Sequence, residues 1–63
     1  MSNEAVEQRA QQDAQNVNNA ESAGDSVRTI GTEVTTARGE LSPSDYNAYL
    51  NNLRGQFQGN QQV

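Results

Sequence analysis

The stretch Ser42-Pro43-Ser44-Asp45-Tyr46-Asn47-Ala48-Tyr49-Leu50-Asn51-Asn52-Leu53-Arg54-Gly55-Gln56-Phe57 decides the fold class. Ser42 is a good N-cap, and Pro43 suits the first helical position because its missing N–H has no intrahelical partner there. Asp45 stands three residues after the cap, where a carboxylate can reach back to it. Tyr46, Tyr49, Leu50, Leu53 and Phe57 then recur at three- and four-residue steps, so one helical face is apolar. Asn47, Asn51, Asn52, Gln56 and Gln58 fill the opposite face. This pattern predicts a helix over 43–58. Gly55 weakens it, Gly59 ends it, and 59–63 reads as a polar tail.

Toward the N-terminus, Val27, Ile30, Val34, Ala37 and Leu41 form a second apolar stripe at steps of three and four. Thr29, Gly31, Thr32, Thr35 and Thr36 lower helix propensity there. The run 32–36 also fits a short strand completed by a partner. No second run of matching character exists to pair with it, so a helix over about 26–38 is the expectation.

The first segment is rich in Ala, Gln and Glu, all good helix formers. Ser2 or Asn3 suits its start, and Glu4 and Glu7 suit the positive end of a helix dipole. Val6, Ala10, Val17 and Ala20 make a thin heptad-like stripe, with Asp13 interrupting it. The expected span is 3–23. Gly24 then serves as a terminator, and Asp25 or Ser26 as the next cap. The first and second stripes are out of phase by a three-residue insertion, which places a bend near Gly24. The five residues Ala37-Arg38-Gly39-Glu40-Leu41 echo Leu53-Arg54-Gly55-Gln56-Phe57, and both suit helix ends.

The whole of 1–63 is therefore expected to be one small all-α unit. Its two or three amphipathic helices are extended or hairpin-like and marginal as an isolated monomer. Leu, Ile, Val and Phe together number ten in 63 residues. So few apolar side chains build a small core, and no Cys or His is present to staple it with a disulfide or an ordinary zinc site. Oligomerisation or docking on a larger body is the remaining source of stability.

The missing residue types also narrow the chemistry. His, Cys, Lys and Trp are absent, while about a quarter of the residues are Asn or Gln. The commonest general base and the most nucleophilic side chain are gone. Carboxylates three or four residues apart, Glu4 with Glu7 and Glu21 with Asp25, read as solvated charges. Asp13, Glu21 and Asp25 do not match a calcium loop, and no Gly-rich phosphate loop is followed by a Lys. No catalytic residue, metal ligand or cofactor is expected, and the chain is read as non-enzymatic. The formal charge of −4, from eight acids and four arginines, makes it a poor phosphate binder. No apolar run approaches the roughly 18 residues needed to span a membrane, and the start Met1-Ser2-Asn3-Glu4-Ala5 is not a signal peptide. A soluble chain, cytoplasmic or virion-associated, is the expected setting.

The expected role is that of a structural, interacting protein. Its apolar stripe would pack on copies of itself or on a larger assembly, and a phage virion or tail component has this composition. The expected partner-interface residues are Tyr46, Tyr49, Leu50, Leu53 and Phe57 of the third segment, with Val27, Ile30 and Val34 of the second. The same two sets could instead pack on each other within one chain. A second expectation is a small acidic inhibitor or regulator that docks on a nucleic-acid enzyme and blocks its basic groove.

Overall fold

In a computed structural model, which describes residues 3–58, the chain forms three α-helices: α1 (Asn3–Asn18), α2 (Ala23–Glu40) and α3 (Pro43–Gln58). The fold is all-α, and 32–36 lies inside α2. There the Thr36 hydroxyl donates to the Thr32 carbonyl at 2.8 Å, turning a β-branched side chain back onto its own helix. The expected tail, 59–63, and the cap candidate Ser2 lie outside the described residues.

The third helix starts where its cap predicts. Ser42 Oγ accepts from the Asp45 backbone N–H at 3.2 Å, and Tyr46 N–H donates to the Ser42 carbonyl at 2.8 Å. The first boundary lies elsewhere than expected. α1 stops at Asn18, five residues before 23, and α2 opens at Ala23, three before 26. The cause is Ser22, which is extended (φ −142°, ψ 163°) and accepts from the Asp25 N–H at 3.1 Å. A residue held extended to cap one helix cannot continue the one before it. Gly24 therefore sits in the first turn of α2, and no described glycine has a positive φ. Ser26 has a different task from capping its own helix. Its hydroxyl donates to the Val17 carbonyl at 3.2 Å, adding a second donor to the one that the Ala20 N–H supplies at the end of α1. Nor does Gly39 end α2, which runs on to Glu40. Leu41 closes it, donating its N–H to the Ala37 carbonyl at 2.9 Å, with Ser42 and Pro43 directly behind.

α1 is the hub: it packs on both other helices, mainly on α3, whereas α2 and α3 touch little. The pairs Arg9–Glu40 and Asn16–Glu33 show that α1 and α2 run antiparallel. The interior consists of Val6, Ala10, Ala14 and Val17 from α1, Ala37 and Leu41 from α2 and the link behind it, and Tyr49 and Leu53 from α3. Three of those eight are alanines, which remove little apolar area from water but let helices approach closely. The molecule measures 31 × 26 × 14 Å. At about 8–10 Å between helix axes, the short dimension is at most two helices deep. Its radius of gyration, 11.6 Å, exceeds the roughly 10.5 Å of an average chain of this length.

Candidate functional site

Two features stand out: a polar seam where the three helices meet, and an apolar rim that the bundle leaves partly open. The seam is built on α1. Arg9, Asp13 and Asn16 follow at steps of four and three, so they share one edge of that helix. Each reaches a different neighbour. Arg9 Nη2 pairs with Glu40 Oε1 at the end of α2. Asn16 Nδ2 donates to Glu33 Oε2 at 2.9 Å, and Gln12 steadies Asn16 by donating to its Oδ1 at 3.2 Å. Asp13 Oδ2 accepts the hydroxyl proton of Tyr49 from α3. Arg9 also lies over the Tyr49 ring, 6.0 Å from its centroid, and Tyr46 stacks on that ring at 6.4 Å and 18°.

Tyr49 is wholly buried, so its hydroxyl needs an acceptor inside the protein. Burial, then the Asp13 carboxyl, pushes the Tyr49 phenol well above its ordinary value. Glu33 is also held above its usual range, chiefly by burial, with Asp13 adding to the rise and the Asn16 hydrogen bond opposing it. Glu33 Oε1 is shut off from water and has no hydrogen-bond partner.

The eight residues expected to meet a partner divide sharply. Tyr49 and Leu53 are consumed by the interior, mostly by packing against α1. Tyr46, Leu50, Phe57, Ile30 and Val34 are half-buried at the margin of that core. Val27 is 70% exposed, the one large hydrophobic side chain so open among the described residues. The aromatic helix therefore does not lie chiefly on Val27, Ile30 and Val34, as the intramolecular alternative expected. The alanine-bearing face of α1 takes that place.

Asp13 is the residue that the periodicity misread. It stands in an apolar slot of the α1 stripe and looks like a defect. The signal that finds it is chemical: a tyrosine on an apolar face must deliver its hydroxyl somewhere, and Asp13 is the acid set among apolar positions.

The described residues contain no group of three or more potential metal ligands. Among the described residues, no helix is long and apolar enough to cross a membrane. No protein-family model matches the chain, and neither a curated protein nor a solved structure does.

Proposed function

We propose that this chain is a non-enzymatic structural subunit that associates, with copies of itself or with a larger assembly, through the apolar side chains its own fold leaves half-covered. The observation that carries this reading is the split of apolar residues along α2 and α3. Ala37, Leu41, Tyr49 and Leu53 are inside, while Val27, Ile30, Val34, Tyr46, Leu50 and Phe57 remain partly or largely open. Association supplies the burial that so small an interior lacks. A stable interface takes about 800 Å² from each partner, roughly a fifth of the 4450 Å² that this chain exposes.

The acidic-inhibitor reading draws less support. Glu40 is paired with Arg9, Arg28 stands 3.9 Å from Asp25, and Asp13 and Glu33 point into the seam, so half of the eight acids are engaged within the chain instead of being arrayed for a basic groove.

Val27→Asp tests the association reading. Val27 contributes little to the interior, so the substitution leaves the helical content of the dilute protein unchanged. Sedimentation equilibrium of the variant should give the monomer mass at concentrations where the parent chain is larger. Equal masses for the two chains would rule out this rim as the contact. Leu53→Asp is unsuitable for this purpose, because burying a charge at that position unfolds the bundle itself.

A further inference from the structure

Glu33 and Asp13 meet across the antiparallel pair of α1 and α2. Asn16 holds Glu33 Oε2 against α1, one turn from Asp13, and the other Glu33 oxygen is buried without a donor. An unpartnered carboxyl oxygen away from water is costly. The Tyr49 hydroxyl goes to Asp13, the Asn16 amide reaches Oε2, and Arg9 Nη2 turns to Glu40, so none of these donors reaches Oε1. A proton on Glu33 supplies the missing hydrogen bond without moving a side chain.

We propose that Glu33 holds a proton in the folded chain and donates it to Asp13, so that the bundle is an acid-favoured fold that loosens as the pH rises. The proton sits on Glu33 Oε1 and is donated to the Asp13 carboxyl, whose Oδ2 keeps the Tyr49 hydroxyl. On ionisation the proton passes to water, and two carboxyl groups are left in contact with no donor between them. The charged and titratable groups around the pair are Arg9 from α1, Glu40 from α2 and Tyr49 from α3. Arg9 is drawn toward Glu40, and the phenol stays neutral through this range.

The sign follows from proton linkage. Glu33 binds its proton more tightly folded than unfolded, where its ordinary value is 4.5. The stabilisation is complete below that value and is lost as the pH rises through the higher midpoint of the folded chain. The device depends on the polar seam alone and operates whether or not the chain associates.

Glu33→Gln tests it, because the amide donates permanently to Asp13 and its oxygen still accepts from Asn16. Thermal melts of the full chain, followed by circular dichroism from acidic to neutral pH, should show Glu33→Gln melting above the parent at neutral pH. The gap should close on acidification, and it should persist at two protein concentrations. Asp13→Asn should also narrow the parent's loss of stability, since its amide can donate to ionised Glu33. A titration of the Glu33 carboxyl carbon by NMR should give a midpoint above 4.5. The proposal is overturned if Glu33→Gln melts below the parent at neutral pH or fails to fold, or if Glu33 titrates at its ordinary value.

Discussion

Tyr49 does two jobs at once. Its ring fills the space between α1 and α3, and its hydroxyl finds Asp13. The stripe Tyr46, Tyr49, Leu50, Leu53, Phe57 is legible in the sequence because helical spacing sorts it to one face. Which members turn fully inward is not legible, since that depends on where α1 lies. Asp13 is hidden for the same reason: it looks misplaced until Tyr49 is set opposite it. Tyr49→Phe keeps the ring and removes the hydroxyl. It should cost about 1–2 kcal/mol, because Asp13 is left with an unmet acceptor in a part-buried seam. A lower melting temperature would register this. An unchanged or higher one would mean the hydroxyl adds nothing. The phenol also sets an upper pH limit. It is held protonated above its ordinary value of 10. Its stabilisation is therefore full below pH 10 and is lost as the pH climbs through the raised midpoint.

Among the elements, α3 carries the clearest start signal and α1 the least legible end. Ser42-Pro43-Ser44-Asp45 announces a helix start, and α3 begins there. Ser22-Ala23-Gly24-Asp25 carries the same Ser-x-x-Asp spacing and does the same work. It was obscured by Gly24, whose usual role as a terminator suggested a later boundary. In physical terms, a serine that can cap at Asp25 outcompeted a glycine whose backbone freedom was not needed. α2 is the element with the weakest intrinsic preference, carrying four threonines and internal glycines. A methyl group added at Gly31 would meet nothing within 4 Å, and its φ is not positive. Gly31→Ala should therefore stabilise the chain by about 1 kcal/mol through helix propensity alone. Chemical denaturation should show the midpoint rise with no change in slope. A fall would mean that the open space beside Gly31 is occupied in solution.

On the scale of the whole molecule, the sequence already implied scarcity, and the bundle shows how it is distributed. Alanines at three of eight interior positions let α1 serve both neighbours while hiding little surface. The lone-chain core is consequently small, and the remaining apolar side chains collect along α2 and α3, where those helices touch little. The interior is only partly legible in the sequence: the thin stripe of α1 reads as the poorest packing surface in the chain, yet it is the centre of the fold. Small residues are silent in a hydrophobicity pattern and matter through the closeness they permit. The outer positions, by contrast, are legible as apolar from spacing alone, and Val27, Ile30, Val34, Leu50 and Phe57 retain exposed surface.

Circular dichroism of the full chain across a dilution series, with a thermal melt at each concentration, tests this account most directly. It predicts that helical signal and melting temperature both rise with protein concentration, because association adds burial that the single bundle lacks. A cooperative melt at the same temperature at every concentration would contradict it.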